Sequence, residues 1–528
     1  MERRDFLKVA AIAPVSAVAL PHVLYEAKAQ TTEAKPANVA AKGAGAAPAS
    51  GSGEVPDFAE HFLTSDMNGL GPDGKPTGQK MTFTGASQAG ATADSASHQM
   101  TLTQEEQEIL DGKEGEEKAK LMKILVAFGN VFGAEKLVDL GGAPHSNLFI
   151  GAPYMSTMID MLNQCADAGL KSYAPYTVNP RPYDVYNVQN NPLDMELIYQ
   201  GYSLQMKLDY VHSRLGAPDL NLRSCACYVK EVGNAPEPGT YVAWCESSAV
   251  NYGNSALGIR TNRYGAGMEM ICAMLGKAPY FGLMTDEGRK ANWLVEVRTS
   301  KEPDWGVLGT AIGRKVVEDV PYITGLDQYF EGGEITPENM HLLKSMGSAT
   351  ASSGSVGLYH VEGVTPDAKD RGRDLLVDDY QTYVYDDAEE QAVIDTFANL
   401  WPEQDGDPTA VFIGCPHNTY FEMVRWGKMV TEALEAAGKE EAAIPVYMFS
   451  AKVVKDRLAE EDTELAGKMK RAGMRATNMC GVGYAGMKGF SDRVRGITNS
   501  AKTRNYSTIR YYPDQILINA IVTGKIST

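Results

Sequence analysis

The apolar positions of this chain recur first at helical spacing and later in short unbroken runs. A helix that begins with a capping box at Thr103 and Glu106 is followed by a second helix, predicted from five apolar positions three to four residues apart: Leu121, Ile124, Leu125, Phe128 and Phe132. Short apolar runs, typical of buried strands, lie at 136–140, 356–361, 410–413 and 444–449, and 420–437 is helical by period. Strands that alternate with helices predict an α/β fold with mainly parallel sheets.

The first 98 residues do not share this pattern. Arg3 and Arg4 precede a short apolar run and a small-residue site at 27–29, so residues 1–29 resemble a twin-arginine signal peptide and predict a periplasmic or otherwise exported protein. An uncleaved N-terminal anchor is the alternative, although the run is shorter than a membrane span. Residues 30–98 are low in large apolar side chains and predict a mostly disordered linker, which leaves 99–528 as the folded domain.

The net charge of −18 limits the partners of this chain. Nucleic acid and anionic membranes repel an acidic protein, so we expect neither as a partner, and no membrane contact once the signal is removed. An anionic substrate would need a local basic pocket inside this acidic surface.

One segment, 225–265, combines thiols with many small polar side chains. It opens with Cys225 and Cys227 and continues into hydroxyls, amides and two guanidiniums, namely Ser247, Ser248, Asn254, Arg260, Thr261, Asn262 and Arg263. Buried polar groups of this density need partners, which favours a pocket wall with metal-binding thiolates at one end and anion-binding donors at the other. A polar loop over a core is the alternative.

The placement of the seven cysteines agrees with a metal site. Cys227, Cys415 and Cys480 each follow a segment predicted to be a strand, and the carboxyl ends of parallel strands meet at one sheet edge. Core thiols or a disulfide remain the alternative for these three, because no CxxC pair is present. Cys165 and Cys272 lie in helical patterns and are predicted core residues.

Several separated motifs resemble the aconitase X family. They are ESSAV-x-Y-x-NS-x-LG-x-RTNR at 246–263, GSATASSGSVGLYHVEGVTP at 347–366, IGCPH at 413–417 and TNSAK at 498–502. The resemblance covers about residues 99–528 and is to the large, catalytic chain. It implies an aconitase-like α/β/α fold of several subdomains and a hydro-lyase that removes water from a small hydroxy acid.

The resemblance also implies a cofactor. Cys227, Cys415 and Cys480 would hold an iron–sulfur cluster, 4Fe-4S or 2Fe-2S, with one iron left open to substrate, and His417 would orient it. A mononuclear iron is the alternative. Cys225 and Cys245 complicate this interpretation, because either could be a fourth ligand that closes the cluster.

Candidate site residues follow from the same motifs. Catalytic roles are predicted for Ser247, Ser248, Ser353 and Lys502. Substrate binding is predicted for Asn254, Arg260, Thr261, Asn262, Arg263, Asn499 and Ser500. A surface or structural ion pair is the alternative for the two arginines. His360 is expected to be a core histidine. Met284 and Asn505 stand where the family is expected to have histidine, which puts the family's substrates, cis-3-hydroxy-L-proline and 5-phosphomevalonate, in doubt; export favours the amino-acid-like one.

A further partner is implied. Aconitase-like enzymes take their serine base from a small swivelling domain, and no candidate for it is found here, so we expect a separate small subunit. Two other functions remain open: an iron–sulfur protein for electron transfer or structure, closed by Cys225 or Cys245, and a cofactor-free binding protein.

Overall fold

The described part of the chain begins just before the first predicted helix. The computed structural model describes residues 98–217, 220–397, 399–401, 406–487 and 489–526. The predicted signal peptide at 1–29 and the predicted linker at 30–98, except its last residue, lie outside the described residues.

Helices are the most abundant regular elements of the described chain, and several of them pack against the strands of the larger sheets. In chain order they are α1 (Gln104–Leu110), α2 (Glu116–Val131), α3 (Ser156–Asp167), α4 (Pro192–Gly201), α5 (Gln205–Leu215), α6 (Ser247–Tyr252), α7 (Met268–Leu275), α8 (Trp305–Val316), α9 (Met340–Ser353), α10 (Pro366–Arg371), α11 (Asp387–Asp395), α12 (Tyr420–Ala436), α13 (Lys452–Glu461), α14 (Thr463–Arg471), α15 (Gly481–Ala485), α16 (Ala501–Asn505) and α17 (Asp514–Thr523). A π-helical turn, Gly253–Leu257, continues α6.

The strands form one five-stranded, one four-stranded and two two-stranded sheets among the described residues. They are β1 (Leu137–Asp139), β2 (His145–Ser146), β3 (Thr177–Val178), β4 (Lys277–Pro279), β5 (Ala291–Val297), β6 (Pro321–Thr324), β7 (His360–Val361), β8 (Leu376–Tyr385), β9 (Ala410–Asn418), β10 (Val446–Ser450), β11 (Met474–Thr477), β12 (Gly496–Thr498) and β13 (Arg510–Tyr511). Only the β1–β4 pair is antiparallel within this part of the chain. All other pairs are parallel, which confirms the predicted α/β class.

The five-stranded sheet has a topological switch point next to its central strand. Its order is β11-β10-β9-β12-β13, so the chain leaves β9 toward one edge and later returns to its other side as β12. In open parallel sheets, ligands bind where the strand order reverses, at the carboxyl ends of the strands. Cys415 lies in the carboxyl-terminal half of β9, and Ser500 and Lys502 follow β12.

Most elements predicted from the pattern are confirmed, with two exceptions. The capping box at Thr103 and Glu106 starts α1, and the 420–437 period is α12. The run at 356–361 is a strand only at His360–Val361. The prediction of a strand before Cys227 is wrong, because Leu220–Leu222 is a 3₁₀ turn and no strand lies between it and Cys227.

The close packing of α8 against α9 depends on glycine. A Cβ on Gly309 would lie 2.2 Å from the carbonyl oxygen of Met346. In this way α9 packs on α8, which itself contacts β8, and the carboxyl-terminal end of α9 lies beside α16, which carries Lys502.

Candidate active site

Three thiols from remote parts of the chain converge at the switch point. They belong to Cys225, on the loop after the 3₁₀ turn, Cys415, in β9, and Cys480, just after β11. Each thiol lies close enough to influence another, since Cys415 and Cys480 both raise the pKa of Cys225, and Cys415 raises that of Cys480. We call these three side chains the thiol cluster.

His417 connects the three chain segments that carry the thiol cluster. Burial lowers its pKa to about 4, so the ring is neutral at pH 7. Nε2 donates to the Met479 carbonyl oxygen at 3.0 Å, and Nδ1 accepts from Ser224 Oγ at 3.3 Å. Since Ser224 precedes Cys225 and Met479 precedes Cys480, one imidazole ties the three segments together.

Each sulfur of the thiol cluster receives hydrogen-bond donors from the chain. The backbone N–H of His417 donates to Cys225 Sγ at 3.3 Å, and that of Gly483 donates to Cys480 Sγ at 3.4 Å. Burial raises the pKa of Cys415, whereas the Lys502 charge and the Thr503 hydroxyl lower it. Burial outweighs these donors, so the pKa of Cys480 rises to about 12 and the thiols stay protonated without a metal.

A buried ion pair lies against the thiol cluster. Lys502 Nζ is 2.5 Å from Glu246 Oε1, and it lies 3.1 Å from Ser247 Oγ and 3.3 Å from Ser248 Oγ. Glu246 is the N-cap of α6, where Oε2 accepts from Ala249 N at 2.7 Å and Ser248 Oγ at 2.6 Å. Lys502 is the second residue of α16, which begins at Ala501 after the Ser500 N-cap.

Both members of this pair are charged in the folded chain. Burial alone would raise the pKa of Glu246, but the Lys502 charge and the hydrogen bonds lower it to about 2. Burial alone would lower the pKa of Lys502, but Glu246 outweighs it and raises that pKa. The Lys502 charge lowers the pKa of Cys415 and Cys480 more than the Glu246 charge raises it, so the positive end of this pair lies toward these two thiols.

Two further side chains face the same charges. Burial raises the pKa of Tyr506, and the charges of Lys502, Glu246 and Cys415 act on its hydroxyl. His145, at the end of β2, lies near Glu246, and burial lowers its pKa to about 4. The ring of His145 hydrogen-bonds with Thr177 Oγ1 and Asn179 Oδ1 on the neighbouring strand β3 and just beyond it.

The predicted anion-binding arginines have structural partners instead. Arg260 donates to the Met284 carbonyl oxygen at 3.0 Å and pairs with Asp286. Arg263 donates to the Ser355 carbonyl oxygen and lies 3.7 Å from Glu318. Both guanidiniums therefore brace loops, rather than facing the thiol cluster.

The amides and the hydroxyl predicted to bind substrate near these arginines also hydrogen-bond to backbone carbonyl oxygens. Asn254 Nδ2 donates to the carbonyl oxygens of Thr261 and Gly357, both at 2.9 Å. Thr261 Oγ1 donates to the Asn262 carbonyl oxygen at 3.1 Å. Asn262 Nδ2 donates to the Phe281 carbonyl oxygen at 3.0 Å.

The remaining predicted residues divide between the site and the scaffold. Ser247, Ser248, Ser500 and Lys502 lie at the thiol cluster. Ser353 Oγ donates to the Ala349 and Thr310 carbonyl oxygens inside the α8–α9 contact. Asn499 Nδ2 donates to Asp514 Oδ1 at 2.8 Å.

The two positions that depart from the family also have scaffold partners. Met284 is fully buried, and its sulfur accepts from the Tyr264 hydroxyl at 3.3 Å. Asn505 Nδ2 donates to Ser352 Oγ at 2.9 Å. His360 is a buried core residue whose Nε2 donates to the Arg289 carbonyl oxygen at 2.8 Å.

The other four cysteines do not join the thiol cluster. Cys227 is fully buried, where its thiol meets the Thr177 hydroxyl, and Cys245 Sγ donates to the Tyr264 carbonyl oxygen at 2.9 Å. Cys165 and Cys272 are buried in α3 and α7, as predicted. All seven cysteines fall within the described ranges, and all seven are free thiols.

The donor set of the thiol cluster fits an iron–sulfur cluster better than a single ion. Among the described residues, no three His, Cys, Asp or Glu side chains are close enough together to hold one metal ion. Iron–sulfur clusters span a wider gap between thiolates, and backbone N–H donors to the sulfurs tune them. Three soft thiol donors, two of which already receive backbone N–H hydrogen bonds, meet that requirement.

Sequence reasoning missed Glu246 and Tyr506 and ranked Cys227 above Cys225. Glu246 could have been found as the lone acid directly before Ser-Ser-Ala, where it caps a helix. Tyr506 lies four residues after Lys502, a spacing that brings two side chains to one helix face. Nothing in the sequence separates the two thiols of Cys-Ala-Cys.

No helix of the described ranges is both long enough and apolar enough to cross a membrane.

Two family models match the chain over much of its described length. The first domain of aconitase X matches residues 99–287, and the second domain of aconitase X matches residues 291–395. Both matches precede Cys415, Cys480 and Lys502.

Sequence relatives carry two enzyme names. The phosphomevalonate dehydratase large subunit of Thermococcus kodakarensis is 32% identical over 361 residues, which span 67% of this chain and 82% of that protein. The protein of the same name from Aeropyrum pernix is 31% identical over 419 residues, 77% of this chain and 95% of that protein. The cis-3-hydroxy-L-proline dehydratase of Pseudomonas aeruginosa is 30% identical over 269 residues, 43% of its own length.

A solved structure has the same fold. The holo-form of aconitase X from Thermococcus kodakaraensis superposes with a TM-score of 0.65 at 29% identity, over 80% of this chain and all of that one. The predicted aconitase-like α/β architecture is thereby confirmed.

Proposed function

The chain belongs to the aconitase X family, and we propose that it removes water from a small hydroxy acid at an iron–sulfur centre. Its relatives are named dehydratases, which are hydro-lyases. The observation that carries the proposal is the His417 ring, which joins the segments of Cys225, Cys415 and Cys480 beside a buried lysine.

The ligands in this proposal are Cys225, Cys415 and Cys480. Cys225 replaces the predicted Cys227, because it shares hydrogen bonds and charge with the other two thiols. Cys227 lies near Cys225 but is hydrogen-bonded to Thr177, and Cys245 Sγ donates to the Tyr264 carbonyl oxygen, so both remaining thiols of this region have other partners. This weakens the case for an electron-transfer cluster with four protein ligands. It supports a cluster with three protein ligands, in which one iron is free to bind substrate.

When bound, such a centre supplies a Lewis acid for the hydroxyl and carboxylate oxygens of a hydroxy acid. Lys502 provides a fixed positive charge for the substrate carboxylate. Glu246 holds that ammonium in place and keeps the hydroxyls of Ser247 and Ser248 turned toward it. The buried walls exclude water, so these charges act in a low-dielectric space.

A base for the second half of the reaction must come from elsewhere in this proposal. Glu246 is paired with Lys502, and Ser500 Oγ donates to the Cys415 carbonyl oxygen, so neither is a free proton acceptor. Several relatives are named large subunits, which supports a separate small subunit as the source of the base.

The test combines cofactor content with turnover. Protein purified without oxygen should contain iron and acid-labile sulfide, and its electron paramagnetic or Mössbauer spectrum should shift when a substrate hydroxy acid is added. cis-3-Hydroxy-L-proline and phosphomevalonate are the first compounds to screen, with the small subunit present. A chain that binds no iron would contradict the proposal, and so would an iron spectrum that no hydroxy acid perturbs.

We further propose export through the twin-arginine pathway, on the basis of Arg3 and Arg4. These residues lie outside the described chain, so the support is the sequence pattern alone. Replacing both arginines with lysine should leave the protein in the cytoplasm of a twin-arginine-competent host, and unchanged periplasmic recovery would contradict export.

A further inference from the structure

Large apolar side chains are exposed on one stretch of the molecule. Six of them lie between residues 186 and 210, and the described chain has five others elsewhere. We call this set the 186–210 face: Tyr186, Leu193, Met195, Tyr199, Met206 and Tyr210. Tyr186 is 89% exposed and Met206 is 84% exposed, so these side chains contribute little to the core.

Both helices of this face bury apolar side chains, Ile198 on α4 and Leu208 and Val211 on α5, and they expose further apolar side chains on their outer side. On α4, Met195 and Tyr199 are exposed while Asp194 is buried. On α5, Met206 and Tyr210 are exposed while Asp209 is buried. A methionine and a tyrosine four residues apart therefore share an outer face on each helix, so both helices are apolar on two sides.

The buried acids tie these helices to the segments around the thiol cluster. Asp209 accepts from Arg181 at 2.7 Å and from Arg223 at 2.5 Å. Arg223 is two residues before Cys225, and the Arg181 carbonyl oxygen accepts from Cys480 N at 2.7 Å.

A second tie lies nearby. Asp184 Oδ2 accepts from Thr477 Oγ1 at 2.7 Å, at the end of the strand that precedes Cys480. The 186–210 face thus adjoins the chain segments that carry Cys225 and Cys480, and buried polar contacts hold it to those segments.

The composition of the face is that of a protein interface rather than of a solvated surface. Tyrosine and methionine are enriched at interface cores, where charged residues are depleted. The chain carries a net charge of −18, yet the exposed charges of α4 and α5 are Glu196 and Lys207, and the latter already pairs with Asp160 at 2.5 Å. The exposed surface of α4 and α5 is therefore nearly neutral, although the protein as a whole is acidic.

We propose that the 186–210 face docks the small subunit that completes the active site. This inference rests on the proposed function, which requires a partner that brings a base to the thiol cluster. A partner seated on α4 and α5 would stand at the rim of that cluster and could close over it. Its own contact surface would be apolar, with room for the aromatic rings of Tyr199 and Tyr210.

The test uses the full chain and its cognate small subunit, purified separately and without oxygen. The double variant Met206→Glu/Tyr210→Glu should bind the small subunit at least about tenfold more weakly in calorimetry or gel filtration, because two charges would be buried in an apolar contact. Its iron content and melting temperature should equal those of the parent. If that variant is destabilised, Tyr199→Glu on the other helix should give the same loss of binding.

Tyr380→Glu is the matched control, since Tyr380 is an exposed tyrosine of β8 on another sheet. It should bind the small subunit as the parent does. Unchanged assembly in both α5 and α4 variants would overturn the proposal. So would a parent that forms dimers or binds phospholipid vesicles through this face, with the variant unable to do so.

Failure of the two proposals can be told apart. If the complex forms through this face but dehydrates no hydroxy acid, the docking stands and the hydro-lyase fails. If the isolated chain dehydrates a hydroxy acid at full rate and binds no small subunit, the hydro-lyase stands and the docking is overturned.

Discussion

At the scale of single residues, the loop around Cys225 and Cys227 separates a site thiol from a core thiol. Cys225 Sγ accepts from His417 N beside Cys415 and Cys480, whereas Cys227 is buried against Thr177. Cys225→Ser should therefore lose bound iron, and Cys227→Ser should keep it, as measured by iron and sulfide content after anaerobic purification.

Cys165→Ser is the control for loss of fold, because Cys165 is buried in α3 away from the site. If Cys225→Ser keeps its full iron content and Cys227→Ser loses iron, then Cys227, not Cys225, is the third cluster ligand.

The Lys502–Glu246 pair allows stability and activity to be separated. Lys502→Met leaves the Glu246 carboxylate buried without its partner, which should destabilise the fold by about 3–5 kcal/mol and abolish turnover. Adding Glu246→Gln removes the stranded charge, so unfolding in urea should show most of the stability regained. Turnover should not return, because the ammonium is still missing. If the double variant does recover activity, the Lys502–Glu246 pair has only a structural role.

A buried carboxyl on α7 predicts a pH-dependent stability. Burial raises the pKa of Glu269 from 4.5 to about 7, against hydrogen bonds from Ser146 Oγ and Gly267 N. Between these values the folded state holds a proton that the unfolded state releases, so stability falls as pH rises from about 4.5 to about 7. The full contribution is at most about 3 kcal/mol.

Glu269→Gln should flatten this slope, as measured by melting temperature at about pH 5 and about pH 8. Glu196→Gln, at an exposed position of α4, is the control and should follow the parent. An unchanged slope in Glu269→Gln would mean that another group titrates.

At the scale of elements, the close contact between α8 and α9 requires a glycine, Gly309, because it has no side chain. Gly309→Ala would place a methyl group 2.2 Å from the Met346 carbonyl oxygen and 2.7 Å from Ala349, so the helices must separate. We expect a loss of about 1–3 kcal/mol or more in the free energy of unfolding.

Gly467 in α14 is the matched helical control. Its nearest neighbour to an added Cβ is the Arg471 side chain at 3.4 Å, an ordinary contact. Gly467→Ala should be neutral or stabilise the fold by up to about 1 kcal/mol, since alanine favours helix. Equal effects at both positions in urea unfolding would contradict the packing argument.

Elements with a local cause were predictable from the sequence, and contacts between remote segments were not. The α1 capping box and the α12 period depend on neighbours within a few residues. Arg260 and Arg263 instead find carbonyl oxygens at Met284 and Ser355, which only the folded chain brings near. A guanidinium suits a carboxylate ligand and a backbone oxygen equally well, so residue type alone could not decide.

At the scale of the whole molecule, the site exists only when three parts of the chain are folded together. The segments of Cys225, Cys415 and Cys480 belong to a loop, a central strand and a helix start, and Glu246 and Lys502 are 256 residues apart in sequence. The resemblance found from motifs identified these segments in order. It could not say which thiol of Cys-Ala-Cys turns inward, because that depends on where His417 lies.

The same assembly explains why we expect the isolated chain to bind iron yet turn over slowly. The described residues supply thiol ligands, a fixed ammonium and oriented hydroxyls, but the carboxylate of Glu246 is committed to Lys502. A positioned base contributes roughly 10²–10⁴ in rate, and a cover that excludes water strengthens every charge beneath it. Initial rates of hydroxy-acid dehydration, measured with the iron-loaded chain alone and after titration with the small subunit, should therefore differ by about 10²-fold or more and saturate at one partner per chain. If the chain alone reaches the full rate, the proton acceptor lies within it, and Ser247, Ser248 and Ser500, the hydroxyls beside Lys502 and Cys415, become the first positions to replace with alanine.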